Sequence, residues 1–156
     1  MDLQKNKKKV ALEELMPVIL EKLNAGGCVR LPATGMSMAP LFRHMRDEIA
    51  LESVEGRTLK KYDMILYRRD NGQYVLHRIV GYAEGGYILR GDAQYADESP
   101  VRRDQVIARV VRYKRNGKEH TCEEKAYKLY VRIRVASLPL RRAYAAVKRR
   151  VRRLCA

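Results

Sequence analysis

The chain has no tryptophan, one phenylalanine and only three cysteines, Cys28, Cys122 and Cys155. The cysteines form no CxxC pair and lie far apart, which excludes a disulfide framework and suits a reducing compartment. Together with His44, His77 and His120 they show no metal-ligand spacing, so no metal and no cofactor is expected. The thiols read as buried structural groups. Long apolar runs are missing too. A membrane-spanning helix needs about 20 apolar residues, and the longest such stretch near the N-terminus, residues 15–20, is flanked by Glu13, Glu14 and Glu21. The basic residues 5–9 are therefore not followed by a signal-peptide core. The chain is expected in the cytoplasm, at most lying on the inner face of the membrane.

Acid is missing from the last part of the chain. Residues 125–156 hold eleven Lys and Arg and no Asp or Glu, whereas the whole chain of 156 residues has 33 bases, 18 acids and a net charge of +15. The first 124 residues thus carry only +4. A nearly balanced body precedes a strongly basic segment, which calls for a polyanionic partner. With 46% hydrophobic residues the body has material for one real core, so a single domain is expected.

Residues 1–9 are polar and basic. From 11 to 24, Leu12, Leu15, Met16, Ile19, Leu20 and Leu23 recur at helical spacing. Pro17 marks a start or a kink, and Gly26-Gly27 ends the helix. The middle changes period. Residues 28–31, 48–52, 64–67, 74–80, 87–90 and 106–113 are short and rich in β-branched or aromatic side chains. Asp70-Asn71-Gly72, Gly85-Gly86 and Asn116-Gly117 mark tight turns between strands. In the tail, Leu140, Tyr144, Val147, Val151 and Leu154 share one helical face and arginines fill much of the rest. The expected organisation is an N-terminal helical segment (1–27), a mainly antiparallel β domain (28–124) and a basic amphipathic helix (125–156). Residues 138–154 suit an anionic membrane surface better than nucleic acid, because Tyr144 is their only aromatic for base stacking.

Three segments carry candidate chemistry. Ser37 sits in Gly35-Met36-Ser37-Met38-Ala39-Pro40, a turn that could expose a nucleophile with its own N–H facing an oxyanion. Taken alone, a serine in such a turn is an ordinary turn residue. His77 is the one polar side chain on the Val75/His77/Ile79 face of a strand: a core residue, or a general base suited to neutral pH. Asp92, in Gly91-Asp92-Ala93-Gln94, either caps a turn or orients His77. Asp97 and Glu98 follow.

These pieces resemble, in order, the blocks of the type I signal peptidase and LexA-type superfamily. The Ser37 segment looks like its G-x-S-M-x-P nucleophile motif. Tyr62-Asp63-Met64-Ile65-Leu66-Tyr67 is similar to its Gly-Asp strand, with Tyr62 in place of the glycine. Val75-Leu76-His77-Arg78-Ile79-Val80 resembles the general-base block of its His-type archaeal and endoplasmic-reticulum members. Leu89-Arg90-Gly91-Asp92-Ala93-Gln94 and Val106-Ile107-Ala108-Arg109-Val110-Val111 resemble its last two blocks, so the likeness covers roughly residues 28–113.

The resemblance implies a signal-peptidase-type β fold and a serine peptidase acting on a peptide substrate. Ser37 would be nucleophile and His77 base, with Asp92, or alternatively Asp97, as the third member. The Ser37 backbone N–H would form the oxyanion hole, and Gly35, Met36, Met38 and Pro40 would border the substrate. Classical signal peptidases are membrane-anchored, whereas this chain shows no anchor. Two alternatives compete with this reading. One is a LexA-like regulator that cleaves itself at Ala25-Gly26, although no helix-turn-helix precedes the β region. The other is an inactive module that binds membrane or nucleic acid through its tail.

Overall fold

The computed structural model describes residues 12–154. Residues 1–9, Ala11 and Cys155 lie outside the described residues, as does the side chain of Leu154. Helix α1 (Leu12–Asn24) buries Met16, Ile19 and Leu23, one apolar side chain per turn on the face it turns to the sheet. Pro17 lies inside this helix and does not end it. The six expected strands are present, as β1 (Val29–Pro32), β2 (Glu48–Ser53), β3 (Met64–Arg68), β4 (Tyr74–Ala83), β5 (Gly86–Arg90) and β7 (Val106–Arg115). Two further strands carry no strand signal of their own: β6 (Glu98–Val101), where Pro100 interrupts the pattern, and β8 (Lys118–Thr121), which is polar throughout. Where one basic helix was expected there are two, α2 (Lys125–Ala136) and α3 (Leu138–Leu154), parted at Ser137 just before Pro139.

All strand pairs are antiparallel, in the order β1-β2-β7-β3-β4-β5-β6, with β8 added to β7. The fold is therefore one eight-stranded antiparallel sheet with three helices. Strand β7 is central: β2 runs along one edge, while β3 and β8 share the other. Register shifts leave an extra residue in β7 at Ile107 and at Val111, in β4 at Val80, and within β6, and such bulges bend a sheet. The bend creates two cores. Met64 and Leu66 of β3 point to the larger one, which α1 and α2 cover. Ile65 and Tyr67 point to the smaller, closed by Ile79, Leu89 and Val101. Alternation with both faces buried explains why this strand reads as an unbroken apolar run.

The turns follow the sequence signals. Gly72 (φ 87°) lets β3 turn into β4, and Asn116 and Gly117 (φ 49° and 78°) let β7 turn into β8. Tyr62, where the resembled motif has glycine, adopts φ 84° in the left-handed region. Its backbone is held on both sides: the N–H donates to the Ile79 carbonyl (2.8 Å), and the carbonyl accepts from Arg78 Nη1 (2.9 Å).

The tail is not separate from the body. Helix α2 buries Tyr127 and Val131 in the larger core. Among the described residues, no helix is long and apolar enough to cross a membrane.

Candidate active site

Strand β1 runs into the Ser37 turn, which is fixed at its base. Ala33 N–H donates to the Asp47 carbonyl and Met45 N–H to the Ala33 carbonyl, both at 2.8 Å. Asp47 itself is fully buried. Burial would raise its pKa, but Arg46 and the backbone N–H groups of Arg43 and Asn116 outweigh that and hold it below the usual carboxylate range. Met38, Leu41 and Phe42 sink into the larger core. Met38 therefore anchors the turn from within and does not face a substrate. Pro40 is exposed and outside the cleft described below, whereas Gly35 and Met36 line it. Gly35 has φ 76° and donates its N–H to His44 Nδ1 at 2.9 Å.

Ser37 is half-buried, and its carbonyl accepts the Ala93 N–H at 2.8 Å. Directly beneath lies Gly91, where a Cβ would stand 2.6 Å from that same oxygen. Glycine is required here because nothing larger lets the two backbones meet. Among the described residues, neither the Ser37 hydroxyl nor its N–H has a hydrogen-bond partner. The nucleophile candidate and its expected oxyanion donor are both unengaged.

His77 lies on β4 opposite Ile65 of β3, and it is 1% exposed. The pleat places Tyr67, two residues beyond Ile65, on the same face and diagonal to His77. Tyr67 Oη is 3.1 Å from His77 Nδ1 and donates to Glu98 Oε2 at 2.6 Å. Arg69 grips the same carboxylate through Nε (2.8 Å) and Nη2 (2.7 Å). Arg69 is the leading cause that keeps Glu98 below the usual carboxylate range. Burial first, and the hydrogen bond to Glu98 second, push the Tyr67 hydroxyl well above its usual range. Its single proton thus stays on the bond to Glu98, and towards His77 it offers a lone pair. His77 must then carry its proton on Nδ1 and leave Nε2 unprotonated.

Burial lowers the His77 pKa to about 4, although Glu98 works against this. The ring is neutral at pH 7, as a general base must be. The same shift makes stability depend on pH. The unfolded chain binds a proton on this histidine below about pH 6.5, while the folded protein resists until about pH 4. Stability is complete above the upper value and falls as pH drops through the window. A loss of about 2 kcal/mol from this group is expected across most of it. Urea-unfolding midpoints of wild type and His77→Gln, compared at the two ends, should show a flatter dependence in the variant.

Asp92, expected beside His77, is instead turned towards Arg78. The carboxylate receives Arg78 Nε and Nη2, each at 2.8 Å, and the Tyr130 hydroxyl at 3.1 Å. Asp97 pairs with Arg90 at 2.7 Å. The acid that reaches His77 is Glu98, 3.9 Å from Nδ1 and bridged by Tyr67. Its chain neighbour is Asp97, the alternative third member that the resemblance implies. Without a recognised β6, nothing told Glu98 from Asp97, whose side chain goes to a different partner.

Ser37 and His77 both line one cleft of about 410 Å³. One wall is formed by residues 31–37, the end of β1 and the turn that follows it, and the other by residues 74–77 of β4, with Ile49 and Leu66 between them. Gln94 lies at the Ser37 end, and Leu12 and Leu15 of α1 add apolar surface. The Ala25-Gly26 bond is elsewhere. It is wound into the closing turn of α1, with Ala25 N–H on Glu21 O and Gly26 N–H on Leu23 O, each at 3.0 Å.

Cys28 and Cys122 are half-buried free thiols, and burial pushes Cys122 up to about 11, which leaves it protonated and unreactive. Among the described residues, no three His, Cys, Asp or Glu side chains converge as metal ligands would. No protein-family model matches the chain, and no curated protein matches it.

Proposed function

We propose that this protein is a serine endopeptidase with signal-peptidase-type chemistry and fold. Ser37 is the nucleophile, His77 the base, and Tyr67 and Glu98 position the base. The observation that carries this reading is a free serine hydroxyl and N–H sharing a cleft with a neutral histidine whose Nδ1 is already committed. Substrate lies extended between the two backbone walls, hydrogen-bonding as an added strand. Its scissile carbonyl sits against Ser37, and the Ser37–His77 contact closes around it, as such contacts often do only with substrate bound.

His77 Nε2 takes the Ser37 proton as Oγ attacks the carbonyl carbon. The oxyanion is stabilised by the Ser37 N–H. The tetrahedral species then expels the amine, which receives the proton from Nε2. An acyl-Ser37 ester is left, and water activated by the same histidine hydrolyses it. Self-cleavage at Ala25-Gly26 finds no support, since that bond is wound into a helix end away from the cleft.

The test is to incubate wild type and Ser37→Ala with a library of unstructured peptides and to read new termini by mass spectrometry. Cleavage by wild type alone is expected, and equal cleavage by Ser37→Ala would overturn the proposal. The positioning arm has its own signature. Tyr67→Phe should lower kcat by about 10- to 100-fold at unchanged KM. That is less than the roughly 10⁴-fold loss when a triad histidine is held in the wrong tautomer, because Glu98 stays in place. The pH profile of kcat/KM should move with it, and an unaltered profile would assign Tyr67 a merely structural role.

A further inference from the structure

Helix α3 surrounds an apolar ridge with charge. At 3.6 residues per turn, Leu140, Tyr144, Val147 and Val151 fall on one face, Lys148 and Arg150 border it on either side, and Arg149, Arg152 and Arg153 lie opposite. The four ridge side chains are 76, 68, 62 and 52% exposed. Beyond Ala145 every described residue of the helix is exposed, so this half stands clear of the body. No acid occurs in residues 125–156 to neutralise it.

The root of the helix, by contrast, is tied to the cleft. Arg141 donates to the carbonyls of Asp92 (2.8 Å) and Gln94 (3.0 Å), and its guanidinium lies 5.4 Å from the centre of the Tyr95 ring. Arg134 adds a second hydrogen bond to the Asp92 carbonyl (2.9 Å), and Arg142 reaches the Tyr95 carbonyl. Between the gripped carbonyls of Asp92 and Gln94 sits Ala93, whose N–H holds the Ser37 carbonyl.

We propose that α3 docks on the anionic lipid surface of a bilayer and carries the Ser37 cleft with it. An isolated apolar ridge of four side chains flanked by cations fits a headgroup boundary. The ridge sinks to the acyl edge, and Lys148 and Arg150 extend their stems along it to reach phosphates. The lack of any acid supplies the charge complementarity. A nucleic acid would satisfy the arginines but leave the ridge wet, and Tyr144 alone offers a base a stacking face. Because the root is fixed to the 92–95 loop, the cleft is held close to the lipid, and the favoured substrate is a peptide tethered at that surface. This last step rests on the peptidase reading; lipid binding does not.

The experiment uses the full chain in two arms. In the first, it is floated with phosphatidylcholine vesicles with and without phosphatidylserine, at low and high salt. Flotation with the anionic vesicles alone, at least about tenfold above the neutral ones and weakened by salt, is expected, since each cation near such a surface adds about fivefold. Val147→Glu/Val151→Glu, both exposed, should abolish it with the thermal midpoint unchanged. Equal flotation with neutral vesicles, flotation with neither, or tight binding of single-stranded oligonucleotide without flotation would overturn the lipid assignment. In the second arm, wild type should cleave a lipid-tethered peptide faster than the same peptide in solution. The double variant should lose that preference and keep its rate on the soluble peptide. Flotation without cleavage of either peptide sinks the peptidase reading and leaves the lipid surface standing. Cleavage without flotation does the reverse.

Discussion

Ser37→Ala is expected to lower kcat/KM on an extended peptide by about 10⁴- to 10⁶-fold, and His77→Ala by a similar factor, with the double variant no worse than either single. The sharing of one loss follows from what each group lacks alone. The Ser37 hydroxyl is a weak nucleophile whose proton must go somewhere as it attacks, and His77 Nε2 is the acceptor assigned to it. Removing the acceptor strands the nucleophile, and removing the nucleophile leaves the base nothing to deprotonate. The residual rate belongs to the Ser37 N–H and to substrate alignment, which both variants keep. Steady-state kinetics of the two singles and the double, each checked for an unchanged thermal midpoint, decide the matter. If the two losses multiply in the double variant, the residues do not act as a unit. The wild-type profile adds a second mark: its acid limb should lie near the lowered His77 pKa of about 4, well under that of a free imidazole.

Asp92→Ala should destabilise the protein by about 3–5 kcal/mol, a large share of the roughly 5–15 kcal/mol that holds a typical domain. Arg78 and Asp92 form a two-bond pair whose side chains are 0 and 2% exposed. The guanidinium also reaches the Tyr62 carbonyl and the Tyr127 hydroxyl. Removal of the carboxylate leaves a cation out of water with only neutral acceptors, which is far costlier than loss of a surface pair. Arg78→Met/Asp92→Leu, which removes both charges and fills the space, should recover most of that loss. Urea-unfolding midpoints of the three proteins settle it, and an Asp92→Ala cost under about 1 kcal/mol would mean the pair is wet. Together with the Tyr67→Phe experiment, this separates an acid that builds the site from an acid that tunes its base.

Much of the fold is legible in the sequence where the signal is local. The hairpin turn at Asp70-Asn71-Gly72 needs only the glycine's backbone freedom, and α1 needs only Met16, Ile19 and Leu23 at helical spacing. Ser37 and His77 stand out through the ordered resemblance of their segments to the superfamily's blocks, and both line the cleft. What escaped depends on pairing between distant segments. Strand β6 has four residues, one of them proline, and exists because β5 offers it an edge. Glu98 becomes a partner of His77 only once β6 has a register, whereas the resemblance points to Asp92, with Asp97 as the alternative. Tyr127 and Val131 are four apart, yet a basic run that also contains Leu140 and Val147 does not say which apolar pair is covered. Burial chose the first pair and left the second in solvent.

The contacts of Asp92 also set an order in time. Ribosomes deliver Ser37, His77 and Glu98 first, and the α2 and α3 groups that grip Asp92 and its loop, Tyr130, Arg134 and Arg141, follow only in the last fifth of the chain. A nascent chain therefore possesses Ser37, His77 and Glu98, and the Arg78–Asp92 pair, before it possesses the helical side chains that brace the Asp92 loop. The loop behind Ser37 is thus braced only as α2 and the root of α3 emerge, so the proposed peptidase should reach full activity late in its own synthesis.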